Sequence, residues 1–194
     1  MNFGTYRTLV RSDLYRHTAG FSVPSLLKYL LLHPGFQYAF WMRTCAYMAS
    51  HAGLRLLPSY LFARWILRHY SHKYGIYLPY NTSVGPGLYI AHFGGIYVYH
   101  KSRIGSNFTI DQEIVLGKSM RGPHKGAPVI GDNVYVGPGA KIIGNVRIGN
   151  HAAIGANSVV TKDVPDHAVA AGVPARVISE AGSTGYVIKT WPPV

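Results

Sequence analysis

The hydrophobic positions of this chain follow two different periods, and the change occurs near residue 76. From Val84 onward an aliphatic residue recurs at every sixth position, usually followed by glycine or another small residue. The series is Val84, Ile90, Ile96, Ile104, Ile110, Leu116, Ile130, Val136, Ile142, Ile148, Ile154 and Val160. A six-residue period fits neither a helix nor an alternating strand, and it predicts a parallel β-helix built from hexapeptides. Three hexapeptides form one triangular coil, and stacked coils bury the aliphatic residues jointly.

Two interruptions of the period locate insertions in the coil. Ile96 and Ile104 are eight residues apart, which predicts two extra residues around positions 100–103. Leu116 and Ile130 are fourteen residues apart, which predicts a protruding basic loop within residues 118–128. A long loop on a rigid scaffold is typical of a binding site, and a tolerated surface insertion is the alternative.

The N-terminal part has a helical pattern instead. Ser22 is a candidate N-cap, Pro24 lies in the first turn and Pro34 is a stop signal. Two further helices are predicted, one ending at Gly53 and an amphipathic one between Pro58 and Gly75. The predicted organisation is mainly β, with a helical N-terminal region at 1–75, a β-helix at 76–178 and a tail without an assigned role at 179–194.

The net charge of +12 is concentrated in the helical part. Residues 1–75 hold nine Lys or Arg and one acid, Asp13, whereas residues 76–194 hold ten Lys or Arg and six acids. A basic, aromatic-rich region favours an anionic partner, so peripheral contact with a membrane is one interpretation and simple solubilising charge is the other. Neither zinc-finger spacing nor an RNA-binding aromatic motif is present, so no nucleic-acid partner is expected.

The single cysteine and the short apolar segments indicate the cellular compartment in which the protein is expected. Cys45 alone excludes an internal disulfide and fits a reducing environment. The N-terminus lacks an apolar signal segment, and the longest uncharged run of the N-terminal part, between Lys28 and Arg43, is too short to span a bilayer. A cytoplasmic protein is therefore expected, with any membrane contact at the inner face.

Residues 130–178 carry a family resemblance. The segment "IGDNVYVGPGAKIIGNVRIGNHAAIGANSVVTKDVPDHAVAAGVPARVI" resembles the C-terminal part of hexapeptide-repeat acyltransferases, in particular serine acetyltransferases and polysaccharide O-acetyltransferases. The resemblance spans about residues 76–178. It implies a left-handed β-helix that forms a homotrimer, alone or as a dimer of trimers, with acetyl-CoA as co-substrate between subunits and no metal.

His92, in "GLYIAHFGGIYV", lies where these enzymes carry their catalytic histidine. A neutral imidazole removes the proton of a hydroxyl acceptor as it attacks the thioester, and a backbone N–H is a suitable donor to the resulting oxyanion. Tyr77 occupies the position of the family's orienting aspartate. The partner of the second ring nitrogen is therefore open between a backbone carbonyl, Tyr77, Asp111 and Gln112, and Gln112 matches a family glutamine.

The resemblance also implies where acetyl-CoA binds. Small residues permit close approach of the pantetheine arm to the backbone, and cations suit the phosphates. The implied positions are Gly139, Ala140, Ala156, Thr161, Lys162 and Arg176.

The acceptor site departs from the serine acetyltransferases. Tyr77, Pro79–Tyr80 and Gly126–Ala127 replace the charged and histidine positions that would recognise serine. Aromatic rings suit sugar faces, and the loop adds cations. The candidate acceptor-binding residues are Tyr77, Tyr80, Phe93, Lys118, Arg121 and Lys125, with His124 as a substitute for the missing second histidine.

These residues favour an acetyl-CoA-dependent O-acetyltransferase that modifies a sugar hydroxyl. The expected acceptor is a glycan or nucleotide-sugar of capsule, exopolysaccharide or lipopolysaccharide. A serine O-acetyltransferase is the first alternative and a non-catalytic β-helix scaffold the second. His92, His100 and His124 match no compact metal-ligand spacing.

Overall fold

The computed structural model describes residues 1–51 and 57–192. Four helices precede fifteen short strands. The helices are α1 (Phe3–Thr18), α2 (Val23–Leu32), α3 (Pro34–Ala49) and α4 (Leu57–Tyr74). The strands are β1 (Ile76–Tyr77), β2 (Ser83–Val84), β3 (Tyr89–Ile90), β4 (Ile96–Val98), β5 (Arg103–Ile104), β6 (Thr109–Ile110), β7 (Val115–Gly117), β8 (Val129–Ile130), β9 (Tyr135–Val136), β10 (Lys141–Ile143), β11 (Arg147–Ile148), β12 (Ala153–Ile154), β13 (Val159–Val160), β14 (Val169–Gly172) and β15 (Ala175–Ser179).

The predicted helix signals are present. The Ser22 side chain accepts a hydrogen bond from the Ser25 N–H at the start of α2, and α3 begins at Pro34. The predicted end of the third helical segment at Gly53 lies outside the described residues.

The strands form three parallel sheets, one on each side of a triangular coil. The first sheet has the order β1-β4-β7-β10-β13, the second β2-β5-β8-β11, and the third β3-β6-β9-β12-β14-β15. Only the β14–β15 pair, which closes the C-terminal end, is antiparallel among the paired strands described. Along the third sheet, Ile90, Ile110, Val136 and Ile154 stack in register and are buried, as the six-residue period predicts.

The two extra residues predicted around 100–103 lie elsewhere. Val98, and not Ile96, pairs with Leu116, and Val98 begins a regular six-residue step to Ile104. The prediction was wrong because Ile96 and Val98 both point inward, so the spacing alone did not show which turn absorbs the insertion. The two residues widen the turn at 91–95, which contains His92.

The loop at 118–128 leaves the coil as predicted. β7 ends at Gly117 and β8 resumes at Val129, and an antiparallel bridge between Ser119 and Gly126 narrows the loop near its base.

The helical layer packs against the first coil. Gly35 in α3 lies directly against the Ile90 carbonyl, so closely that a Cβ at this position would overlap it. The Tyr38 hydroxyl, also on α3, donates to the Leu78 carbonyl at 3.0 Å and accepts from the Leu78 N–H. The layer is therefore fixed to the strand that precedes His92.

Buried polar groups join the layer to the coil. Asp13 and Arg43 form an ion pair with an Nε–Oδ2 distance of 3.0 Å, and both side chains are almost fully buried. Asp13 also accepts from the Leu88 N–H, and Arg43 donates to the Val84 and Gly85 carbonyls. The pair thus satisfies backbone groups of the coil that would otherwise be buried without partners.

The C-terminal tail runs back towards α1. The Arg16 guanidinium donates to the carbonyls of Gly87 and Ile188 and to the Thr109 hydroxyl, and the Lys189 ammonium donates to the His17 carbonyl. Of the helices in the described residues, none has both the length and the apolar character that crossing a membrane requires.

Candidate functional site

The turns between sheets stack into edges that run the length of the coil. We call the edge between the third and first sheets the His92 edge; its turns are residues 91–95, 111–113, 137–140 and 155–158. We call the edge between the first and second sheets the loop edge; its turns are residues 78–82, 99–102, 118–128, 144–146 and 161–163. Each candidate site residue can be assigned to one of these edges, to a neighbouring sheet face or to the closing hairpin.

His92 lies on the widened turn at the N-terminal end of its edge. Its side chain is exposed, and the chain returns through Gly94 and Gly95 with φ of +108° and +65°, a region in which glycine is favoured. The ring of the next residue, Phe93, contacts the Tyr74 ring at a centroid distance of 5.3 Å. The turn therefore presents the imidazole to solvent beside the end of α4.

Gln112 occupies the equivalent position one coil further along. His92 and Gln112 are each the second residue after the paired Ile90 and Ile110, and the Ala91 N–H donates to the Ile110 carbonyl, so the two turns leave the third sheet side by side. The Gln112 Oε1 atom is buried and has no hydrogen-bond partner within the described chain. An unsatisfied buried acceptor is costly, so this oxygen is available for a donor at the edge.

The other candidate side chains, Asp111 and Tyr77, have contacts away from His92. Asp111 accepts a 2.7 Å hydrogen bond from the Tyr135 hydroxyl, and burial together with this carboxylate raises the pKa of Tyr135. Tyr77 stacks on Tyr97 at a centroid distance of 5.2 Å on the first sheet. Among these side chains, Gln112 is the one with a buried acceptor that has no partner within the described residues.

The lower turns of the His92 edge carry the small residues expected at an acetyl-CoA site. Gly139 has φ of +73°, and a Cβ there would overlap the Asn157 side chain of the next coil, so glycine is needed for stacking. Ala156 is exposed. Ala140 is fully buried, and its carbonyl accepts from the Val115 N–H, so its side chain belongs to the core. Gly139 and Ala156 thus share one edge with His92.

The remaining predicted cofactor residues divide between the loop edge and the closing hairpin. Thr161 and Lys162 are exposed on the loop edge, and Arg176 is exposed on the closing strand β15. Arg176 pairs with Ala171, which lies against Gly155 at the C-terminal end of the His92 edge, whereas Thr161 and Lys162 lie across the first sheet from that edge.

The predicted basic loop also lies on the loop edge. Lys118 and Lys125 line a 530 Å³ cavity together with Lys101 and Arg103, and the Lys118 ammonium lies 5.5 Å from the Tyr99 ring centroid. Arg121 is exposed at the loop tip, and the His124 carbonyl accepts from the Asn145 N–H. His124 is therefore separated from His92 by the width of the first sheet.

A second cleft, of 620 Å³, lies between α4 and the first coil. Tyr77 and Tyr80 line it, and so do three residues of α4 that the sequence analysis did not select, Arg64, Arg68 and His72. Their spacing of four residues was visible in the sequence and places them on one helix face. The residues described in the structure contain no cluster of three or more metal-ligating side chains.

Comparison with known proteins gives consistent relatives. Residues 127–162 match the family model "Bacterial transferase hexapeptide (six repeats)". A serine acetyltransferase of Mycobacterium tuberculosis is 32% identical over 160 residues, covering 82% of this chain and 67% of that protein. One from Synechococcus elongatus is 34% identical over 157 residues, covering 80% of this chain and 62% of that protein. One from Staphylococcus aureus is 36% identical over 153 residues, covering 72% and 71%. The chain therefore spans between three fifths and seven tenths of the length of these curated relatives.

Solved structures agree in fold. The serine acetyltransferase from Brucella abortus superposes with a TM-score of 0.76 at 27% identity, covering 94% of this chain and 72% of that one. A soybean serine acetyltransferase complexed with serine gives a TM-score of 0.74 at 28% identity, covering 90% and 70%. The predicted left-handed parallel β-helix with a helical N-terminal region is confirmed.

The prediction of a sugar or glycan acceptor is wrong. The relatives and structural neighbours are serine acetyltransferases, which favours the first alternative. The aromatic residues that suggested a sugar have other contacts. The Tyr80 hydroxyl hydrogen-bonds to that of Tyr60, and Tyr77 and Phe93 pack against Tyr97 and Tyr74. Aromatic side chains on the outside of the coil therefore need no carbohydrate to explain them.

Proposed function

Because the chain belongs to the serine acetyltransferase family of hexapeptide-repeat transferases, we propose that it transfers an acetyl group from acetyl-CoA to the hydroxyl of serine. The predicted enzyme class, an O-acetyltransferase with acetyl-CoA as co-substrate, is confirmed at the level of this family. The identity of the acceptor and the roles of individual residues are part of the proposal.

One observation carries the proposal, namely the position of His92. The imidazole is exposed on a widened turn that contains two glycines, at the N-terminal end of the His92 edge. The later turns of this edge carry the small residues Gly139 and Ala156. Acetyl-CoA supplies the acetyl group as an activated thioester. The proposed role of His92 is to accept the proton of the serine hydroxyl during attack and to deliver it to the departing thiol.

Gln112 is proposed to orient His92. The unpaired Gln112 Oε1 accepts the N–H of one ring nitrogen, which leaves the other nitrogen as the base and fixes the tautomer. This arrangement takes the place of the aspartate whose position Tyr77 occupies. A Gln112→Leu variant is expected to lower kcat with little effect on CoA affinity, whereas Gln112→Glu restores an acceptor and part of kcat.

The cofactor and loop residues fit a homotrimer in which the loop edge of one chain lies beside the His92 edge of the next. In this proposal Gly139 and Ala156 contact the pantetheine arm through their backbone. Thr161, Lys162 and Arg176 supply phosphate contacts, and Lys118, Arg121, His124 and Lys125 reach the acceptor site of the neighbouring chain. The position of Thr161, Lys162 and the loop residues on the loop edge, across the first sheet from His92, supports the arrangement.

A thiol-release assay tests the proposed function. Purified protein with acetyl-CoA is expected to release CoA thiol in proportion to added L-serine, with O-acetylserine identified by mass spectrometry. A matched reaction without serine measures background hydrolysis. Release that does not rise above this background at millimolar L-serine would contradict serine as the acceptor.

A further inference from the structure

We propose that the cleft between α4 and the first coil binds the acidic group of the acceptor, with Arg68 as the principal contact. The inference rests on the proposed function, since it names the part of the protein that recognises the serine carboxylate. The cleft has a volume of 620 Å³ and lies between the face of α4 that carries Arg64, Arg68 and His72 and the strand that carries Tyr77.

The charge distribution in the cleft favours an anionic ligand. Arg64, Arg68 and His72 are spaced four residues apart on one helix face, and the neighbouring positive charges of Arg64 and Arg68 destabilise each other there. No acid occurs between Asp13 and Asp111, and Asp13 is buried in its ion pair with Arg43. Within the described residues, the only salt bridge is that buried pair. An anionic ligand would therefore relieve the repulsion along α4.

The two arginines differ in how they are held. The Arg64 guanidinium lies 5.7 Å from the Tyr60 ring centroid and 5.8 Å from that of Tyr80, and the hydroxyls of these tyrosines hydrogen-bond to each other at 2.9 Å. Arg68 is exposed, and no hydrogen bond from its side chain is present among the described residues. Arg64 thus helps to shape the far wall, while Arg68 keeps its donors for a bidentate contact with a carboxylate.

The cleft ends beside the proposed base. Gly75 lines it, and a Cβ on Gly75 would lie 3.2 Å from the Gly95 nitrogen, within the turn that carries His92. At a rise of 1.5 Å per residue, the His72 backbone lies about 5 Å and the Arg68 backbone about 10 Å along α4 from Gly75. A small acceptor held by its carboxylate at Arg68 and His72 would therefore direct its remaining groups towards the His92 turn.

Kinetics with two acceptors test the assignment. L-Serinamide retains the hydroxyl and ammonium groups of L-serine but replaces the carboxylate by a neutral amide. Arg68→Leu is expected to raise the KM for L-serine at least about tenfold, the size expected for loss of a charge-assisted hydrogen bond, with kcat within about twofold. The KM for L-serinamide and the affinity for CoA should be unchanged. Arg7→Leu, at an exposed site on α1, serves as the matched control.

The result that overturns the inference is an equal change, or no change, in the KM for the two acceptors. If wild-type protein does not acetylate serine, the proposed function fails and the cleft is tested by binding alone. Glycolate, which carries a carboxylate and a hydroxyl, is then the probe in saturation-transfer NMR. Loss of the glycolate signal in Arg68→Leu but not in Arg7→Leu supports the anion site, and equal signals in all three proteins refute it.

Discussion

The coil and the helical layer are held together in different ways. The interior of the coil is a repeated stack of aliphatic side chains such as Ile110, Val136 and Ile154, each supported by the coils on either side. The attachment of the helical layer to the coil depends on a few buried polar groups and one close backbone contact. The stabilising contacts are therefore spread over many residues in the coil and limited to a few residues at the helical layer. Single substitutions should cost more at the layer than in the coil.

The largest loss is expected from breaking the buried ion pair. Arg43→Leu leaves the Asp13 carboxylate buried without its cation and should destabilise the protein by about 3–5 kcal/mol. Burial already raises the pKa of Asp13, and Arg43 opposes that rise. Without Arg43 the pKa of the carboxyl should rise further, so the loss should shrink as the pH falls towards the ordinary aspartate pKa of 3.8. Urea unfolding at two pH values measures both effects, and a double Asp13→Leu, Arg43→Leu variant should recover part of the loss.

The close contact between α3 and β3 should give the next largest effect. Gly35→Ala places a methyl group against the Ile90 carbonyl and should cost about 1–3 kcal/mol. In a helix, alanine is more stable than glycine by about 1 kcal/mol. A loss of stability in Gly35→Ala would therefore come from the contact with Ile90 and not from helix propensity. Gly20→Ala is the control, because nothing lies near a Cβ at that position. Equal stability of the two variants would contradict a tight interface.

Titration of His17 should make the layer sensitive to acid. Burial, together with His33 and Arg16, lowers the pKa of His17 to about 3, and its ring packs against Tyr29, Phe36 and Tyr89. The folded protein keeps this ring neutral, whereas the unfolded chain protonates it near its ordinary pKa of 6.5. The contribution of the neutral His17 ring to stability is therefore fully present above pH 6.5. Below that pH the free energy of unfolding should fall by at most about 1.4 kcal/mol per pH unit.

Thermal unfolding of His17→Phe between pH 4 and pH 7 checks this dependence. The variant should lose stability less steeply than the wild type as the pH falls. The exposed His69→Phe is the control and should follow the wild type. Parallel pH curves for all three proteins would contradict the assignment.

One residue of the coil interior should matter least. Ile142→Val removes a single methylene from a fully buried position on the first sheet and should cost about 0.5–1.5 kcal/mol. The stacked residues Leu116 and Val160 remain in place above and below it. A loss larger than that of Arg43→Leu would reverse the comparison between the two regions.

The sequence predicted the repeated part of the fold better than the unique part. The period from Val84 to Val160 identified the coil, because each aliphatic residue has the same environment in every turn. It did not show that the insertion lies at 91–95, because Ile96 and Val98 both point inward; the pair Gly94–Gly95 was the available signal. The contacts of Asp13 and Arg16 join residues far apart in the sequence and follow no period, although Asp13 was notable as the only acid before Asp111.

The residues of the candidate site could also be predicted where they belong to the repeated coil, and not where they depend on a tertiary contact. His92 was found from its motif, and its edge follows from the coil geometry that places Gln112, Gly139 and Ala156 in line. Arg68 was not selected because its significance depends on the cleft that α4 forms with Tyr77, which is a tertiary contact. Predicted membrane contact of the basic helical region stays a prediction.

The most direct test of the account is the turnover of His92→Ala with acetyl-CoA and L-serine, measured beside CoA binding. We expect kcat to fall at least about 100-fold while CoA affinity stays near the wild-type value, because the imidazole acts on the proton of the acceptor and not on the cofactor. The exposed His69→Ala should retain full activity. Turnover of His92→Ala within a few-fold of the wild type would contradict a base at this position.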